Sequence, residues 1–376
     1  MASTIKRTQN TDGSVTWSTV VDLPTDPATG KRRQRRVSGK TRKEAERKAA
    51  EMIHLAETGF LDAKKVTVAD FFDRWLAATA PTLRPSSVKR YRDLARLHIV
   101  GNIGGVNLAR LTPGDVQGLY ARLLETLWPT SVRQLHSVLH HALDDAVKWG
   151  VLARNVCDAV EPPKRNRTEM TTWSTAEVSR VLAVAAGDDL EALWRLAVTT
   201  GMRRGELLGL KWADIDFDSG SLSVRRSLSR GLTSRLIEGE PKTKAGRRRI
   251  ALSPATVESV RRHRSRQVEY RLRVGPAYSD NGYVFTNETG GYIHPNRLSK
   301  HYRHLIDLAG VPVIRFHDLR HTCATMLLAE GVHPKIVQER LGHSDIAMTL
   351  NLYSHVTPHM QQAAADAIET ALSRAI

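Results

Sequence analysis

The sequence predicts an α+β fold, mainly α, arranged as a small sheet-plus-helix module, a helical domain and a larger mixed α/β domain. Three observations carry this reading. Short β-prone runs separated by turn residues occupy positions 5–38. Apolar residues at helical spacing replace them from residue 66, and helix and strand patterns mix after a proline-rich basic stretch at 162–167. The 376 residues suffice for two or three domains of ordinary size. Boundaries are expected at 1–62, 66–162 and 168–376.

In order along the chain, Ser14 to Leu23 and Arg35 to Ser38 read as strands of an antiparallel sheet, with turns at Asn10–Gly13 and Pro24–Gly30. Thr41 starts a helix with Glu44 as capping partner, running to about Glu57. Lys31, Arg32, Arg33, Arg35 and Arg36 make the face of this module basic. Val68, Phe71, Phe72, Trp75 and Leu76 form one apolar stripe, and Tyr91, Leu94, Leu97 and His98 another. Thr112 and Asp115 frame a capping box with proline at the first helical position, and Pro129 to Trp149 is a further long helix. A four-helix unit follows, with Lys89, Arg90 and Arg92 on its polar face. After the linker, Ser174 with Glu177 caps a helix at 175–186. A helix at 189–200, strands near 221–226, 235–240 and 248–252, and then mostly helices are expected. Pro358 breaks the chain before an Ala-rich tail that sets Ala364, Ile368, Ala371 and Leu372 on one helical face.

Charge narrows the function classes. Against 39 Asp+Glu stand 56 Lys+Arg, a net +17 with pI near 10.2, which points to a polyanionic partner. The excess is concentrated: residues 1–65 hold 14 basic and 8 acidic residues, and residues 241–273 hold 11 and 2. Two basic surfaces are therefore expected. Cys157 and Cys323 lie far apart without a paired spacing, so neither a disulfide framework nor a thiolate metal site is suggested, and a reducing cytoplasm fits. The polar start lacks a signal-peptide core, and no run approaches the ~18 apolar residues of a membrane span. A soluble cytoplasmic protein without membrane partners is expected.

Three segments carry candidate chemistry. In Thr199-Thr-Gly-Met-Arg-Arg-Gly-Glu-Leu207, Gly201 is placed to end one helix and Arg203 shares a face with Glu206, a spacing that a surface ion pair would also produce. His317-Asp-Leu-Arg320 sets an imidazole and a guanidinium three apart on a helix. His321 adds a metal-pair spacing without the glutamate and third ligand of a zinc protease, so no metal is expected. In Leu341-Gly-His-Ser-Asp-Ile-Ala-Met-Thr-Leu-Asn-Leu-Tyr353, Pro334 starts a helix, Gly342 ends it, Ser344 can cap the next, and that helix delivers Tyr353. Alone, Tyr353 reads as a core aromatic.

Together these segments resemble the tyrosine recombinases of the phage-integrase family. That family carries T-G-x-R-x-x-E-L, a β-hairpin Lys, H-x-x-R, L-G-H and a following Tyr, and every element is present in order across roughly 174–357. The helical segment is similar to the family's core-site-binding domain, and the N-terminal module to its arm-binding domains. The resemblance implies active-site positions for Arg203, His317, Arg320, His343 and Tyr353, with Glu206 in support. It assigns the hairpin lysine to Lys242, with Lys244 close enough to compete. Lys244, Arg247 and Arg248 join Lys89, Arg90 and the N-terminal arginines as expected DNA contacts. It implies double-stranded DNA at core and arm-type sites as partner, a homotetramer on that DNA, and room for a directionality factor or a DNA-bending host protein. No cofactor is implied.

The chemistry asks for these residue types as well. Attack on a phosphodiester develops charge on non-bridging oxygens, which two guanidiniums hold in bidentate geometry that ammonium groups cannot reproduce. Arg203 and Arg320 fit. A tyrosine of free pKa near 10 needs a base, the role expected of His317, with His343 a hydrogen-bond donor to phosphate. The departing 5′ oxygen needs a proton, which suits Lys242. A 3′-phosphotyrosine keeps the energy of the broken bond, so neither nucleotide nor metal is required. The rival readings are a type IB topoisomerase-like enzyme and a non-catalytic DNA-binding regulator on the same fold. Tyr302 is the next candidate nucleophile.

Overall fold

The computed structural model describes residues 4–9, 13–23, 32–57, 66–164, 170–231, 236–241, 243–353, 366, 368–369 and 372–373. The chain divides into two compact units, 1–167 and 168–376.

The first unit opens with an antiparallel sheet in the order β1 (Lys6–Gln9), β2 (Val15–Leu23), β3 (Arg33–Gly39), covered by helix α1 (Arg42–Glu57). Alternation builds its core: Val21, Leu23 and Val37 are buried and gather with Ala49, Met52 and Ile53 of the helix. The cap of α1 differs slightly from a reciprocal box. Glu44 N–H donates to Thr41 Oγ1 at 3.2 Å, but the Glu44 carboxylate reaches back to the Lys40 N–H at 2.8 Å.

The same alternation corrects the single basic face expected for this module. Val21 pairs with Arg35 and Val20 with Arg36, so the two arginines project from opposite faces of β3. Arg32 pairs with Asp22 at 3.0 Å. Lys31 lies outside the described residues, as does the side chain of Arg33.

A second core in this unit belongs to α2 (Val68–Thr79), α3 (Pro85–Leu94), a π-turn at Ala95–Val100, α4 (Gly101–Ile103), α5 (Pro113–Leu124) and α6 (Pro129–Lys148). Capping boxes start α2 at Thr67/Asp70 and α5 at Thr112/Asp115. Phe71, Phe72 and Trp75 are fully buried as their stripe requires. The second stripe is corrected: Leu97 is 56% exposed, and Ala95, Ile99 and Ile103 are buried instead. A π-turn takes more residues per turn than an α-helix, so the inward face slips and Leu97 rotates out. Lys89 pairs with Asp93 at 3.3 Å, and the Arg90 guanidinium lies 6.0 Å from the Tyr91 ring centre.

The second unit runs α7 (Thr175–Val184), α8 (Glu191–Thr200), α9 (Arg204–Leu208), β4 (Ile215–Asp216), β5 (Ser221–Val224), β6 (Ser227–Arg230), β7 (Leu236–Gly239), β8 (Arg248–Ala251), α10 (Pro254–Val274), α11 (Pro295–Ala309), α12 (Asp318–Ala329), α13 (Pro334–Leu341) and α14 (Ala347–Tyr353). The strand expected near 221–226 is β5, in the antiparallel sheet β4-β5-β8, and the unexpected β6 after it pairs with β7 as a separate hairpin. Trp194, Leu207, Leu222, Ile250, Phe285 and Leu305 anchor the main core. A smaller cluster of Cys323, Ala324, Leu328, Val337 and Leu341 joins α12 to α13. In the tail, Ile368 and Leu372 are helical and exposed, while Ala364 and Ala371 lie outside the described residues.

Candidate active site

The site begins where α8 ends. Gly201 adopts φ +61, a left-handed conformation that glycine enters without a Cβ clash. A Cβ there would also fall 2.3 Å from a Leu341 methyl, so the close approach of α13 demands the same residue. This turn makes Arg203 the N-cap of α9. Glu206 Oε1 accepts from Arg203 Nη1 at 2.7 Å and Oε2 from the Arg203 backbone N–H at 3.0 Å. The Arg203 Nη2 donates onward to the Gly342 carbonyl at 3.3 Å. The Arg203–Glu206 relation is thus a strut between two turns.

The N-terminal turn of α12 packs on this strut. His317 occupies the N-cap position, and Arg320, 3% exposed, donates through Nη1 to the Gly201 carbonyl at 2.8 Å. Its Nη2 is buried and has no hydrogen-bond acceptor among the described residues. A buried, unsatisfied donor costs about 1–3 kcal/mol, so a guanidinium held this way is a poor structural choice and a good anion-binding one. Burial, then Arg203 and Arg248, pull the Arg320 pKa down to about 9, which still leaves it charged at neutrality. Desolvation, and after it His321, Arg320 and Arg203, push His317 down to about 4, leaving its imidazole neutral. His317 and His321 meet edge to face with ring centres 5.4 Å apart.

The third segment closes the site. Gly342 is left-handed at φ +68, and a Cβ on it would lie 2.5 Å from the Ala245 carbonyl. The turn swings His343 inward, 7% exposed, with Nδ1 at 2.9 Å from Thr349 Oγ1. Burial, then Arg320 and Arg203, push His343 down to about 3, so it too is neutral at pH 7. Asp345, not Ser344, caps the next helix, its Oδ1 accepting from the Ala347 N–H at 2.9 Å. Tyr353 is the last residue of that helix, one turn beyond Thr349; its side chain lies outside the described residues. The competing Tyr302 is buried among Trp173, Trp194 and Phe316, and burial pushes its hydroxyl pKa up, which disfavours the ionised form a nucleophile needs.

Comparison with known proteins identifies the family. The phage integrase family matches residues 175–360, its N-terminal SAM-like domain residues 67–124, and an arm DNA-binding domain residues 4–55. A tyrosine recombinase XerC-like protein of Caldanaerobacter subterraneus is 34% identical over 362 residues, covering 91% of this chain and 92% of that protein. The chain belongs to the tyrosine recombinases of the phage integrase family. This tyrosine recombinase is a site-specific recombinase enzyme. The ICEBs1 integrase of Bacillus subtilis is 27% identical, with 92% of this chain and 95% of that one covered. Among solved structures, the fold is shared with the Tn1549 transposon integrase in complex with a circular intermediate DNA, at TM-score 0.67 and 21% identity over 81% of this chain and 99% of that one. A lambda integrase tetramer bound to a Holliday junction aligns at TM-score 0.59 and 19% identity, covering 92% and 94%.

Within the recombinase, Arg203, His317, Arg320 and His343 lie close enough to act on one another electrostatically, and Glu206 braces Arg203. Two expectations are corrected. Arg248 is not a surface arginine: its side chain is 6% exposed, and it donates to Glu206 Oε2 at 3.0 Å, the Arg340 carbonyl at 2.6 Å and the Gly246 carbonyl at 3.0 Å. The signal was present in β8, where period two sets Arg248 on the side of buried Ile250 and Arg249 on the other. The basic run at 241–273 is likewise not one free surface, because acids outside it neutralise much of the charge. Arg249 pairs with Asp216, Arg262 and Arg266 with Glu191, and Arg271 with Asp280. Arg247 stays exposed beside Glu240. Lys242 lies outside the described residues, and Lys244 enters a short turn, Lys244–Gly246, with its side chain likewise outside.

Sequence reasoning also passed over Arg340 and Thr349. Arg340 ties the end of α8 to the end of β8 by donating to the carbonyls of Thr199 at 2.9 Å and Ala251 at 3.1 Å. Away from this site, ligand atoms of His140, Asp144 and Asp158 lie within 4.8 Å of one another, with His140 Nε2 hydrogen-bonded to Asp158 Oδ1 at 2.9 Å and Nδ1 at 3.2 Å from Asp144 Oδ2.

Proposed function

We propose that this recombinase cleaves DNA with Tyr353 and rejoins it through a 3′-phosphotyrosine and a Holliday junction, integrating or excising a phage or other mobile element. The observation that carries the reading is the nearness of Arg203 to the buried Arg320, whose Nη2 has no acceptor among the described residues and suits a non-bridging phosphate oxygen. Neutral His317 takes the Tyr353 proton, and neutral His343 donates a hydrogen bond to the phosphate. Lys242 protonates the departing 5′ oxygen. The bond energy stays in the phosphotyrosine, so the chemistry calls for neither nucleotide nor metal.

In this proposal residues 66–162 and 168–376 hold the core site, residues 1–62 bind arm-type DNA, and four protomers assemble for strand exchange. The exposed Ile368 and Leu372 on one tail face support docking of the tail on a neighbouring protomer. A nicked suicide substrate, which loses its 5′ fragment after cleavage, tests the central claim. Tyr353→Phe should bind DNA and form no covalent adduct. Undiminished adduct from the Phe variant would refute the assignment.

A further inference from the structure

Thr349 is fully buried, and among the described residues its hydroxyl has one hydrogen-bond partner, Nδ1 of His343 at 2.9 Å. Neither group has water to fall back on, so the contact must be satisfied with the correct proton placement. A neutral imidazole carries one N–H, and the bond made by one ring nitrogen decides which. If Nδ1 held the proton, Nε2 could only accept, and it would set a lone pair toward an anionic phosphate. With Nδ1 accepting, Nε2 carries the hydrogen and becomes a donor.

We propose that Thr349 is a positioning residue that donates its hydroxyl hydrogen to Nδ1 of His343, holding the ring as the Nε2–H tautomer that can donate to the scissile phosphate. This rests on the cleavage reading above. Thr349 does a second thing through the same bond. It sits on α14, one turn before Tyr353, so the bond fixes the rotation of the nucleophile-bearing helix about its axis relative to His343. The neutrality of His343, produced by burial and the surrounding arginines, is what makes the choice of tautomer matter.

The test compares suicide-substrate cleavage by the full chain in wild type, Thr349→Val, Thr349→Ser, His343→Gln and the His343→Gln/Thr349→Val double variant. Valine keeps the branched shape without the hydroxyl, and should slow adduct formation about tenfold, the scale of losing a partner that orients a histidine. Serine should restore most of the rate. In the His343→Gln background valine should add no further loss, because its effect acts through the ring. Equal losses in both backgrounds would mean that Thr349 only packs α14, and a valine variant at full rate would mean that the hydroxyl is idle; either overturns the proposal. Nitrogen NMR of labelled histidine in the DNA-free protein reads the tautomer directly. It should show Nε2 protonated, and a protonated Nδ1 would overturn the proposal. A wild-type chain that forms no adduct would refute the cleavage reading, and the imidazole spectrum would still decide the tautomer.

Discussion

Nη2 of Arg248 lies 3.0 Å from Oε2 of Glu206 in the interior, directly behind the arginine that caps α9. Burial alone would raise the Glu206 pKa, but Arg248 and then Arg203 hold its carboxyl below the usual range. The pair therefore stays ionised, and it fixes the same carboxylate oxygen that accepts from the Arg203 backbone N–H.

Removing one partner should be worse than removing charge from both. Arg248→Met is expected to destabilise the chain by up to about 3–5 kcal/mol, the cost of breaking a buried ion pair, less what the remaining Arg203 partner recovers. Arg248→Met with Glu206→Gln should recover part of that loss in urea unfolding, yet leave cleavage impaired because Arg203 loses its brace. A single Arg248→Met variant of wild-type stability would show that Arg203 alone satisfies the buried Glu206 carboxylate.

Arg203→Lys and Arg320→Lys should each retain DNA binding and lose cleavage by roughly 10²-fold or more, the scale of one lost preorganised oxyanion donor. An ammonium supplies the charge but not two parallel N–H groups. Near-normal adduct formation by either lysine variant would reduce that arginine to an internal strut.

Acid should weaken the fold through the site histidines. Their folded pKa values, about 4 for His317 and about 3 for His343, lie below the ordinary 6.5, so the unfolded chain binds protons first. Stability should fall as the pH drops below 6.5 toward those values. His343→Gln should flatten the urea midpoint between pH 6.5 and about pH 5, above the range where carboxylates titrate. An unchanged slope would mean that His343 is accommodated in its charged form.

The general acid is settled by a substrate whose 5′-bridging oxygen is replaced by sulfur, a leaving group that departs without a proton. Lys242→Ala should cleave ordinary DNA poorly and this substrate well. Rescue of Lys244→Ala instead would move the role two residues along the turn.

Much of this protein was legible in the chain itself. Capping boxes at Thr112 and Ser174, the left-handed glycines at 201 and 342, and the three-residue spacings of Arg203 with Glu206 and His317 with Arg320 are relations within one or two helical turns, where sequence distance sets spatial distance. What the chain alone did not reveal lies at longer range or depends on the phase of a helix. The π-turn that exposes Leu97 changes the period on which its stripe was read. Arg248 and Glu206 stand 42 residues apart, and Arg320 reaches a carbonyl 119 residues away. Whether an arginine faces DNA or a buried carboxylate follows from which elements pack against its strand. That packing, rather than the charge of the segment, selected Arg248 for the interior and left Arg320 Nη2 without an acceptor among the described residues.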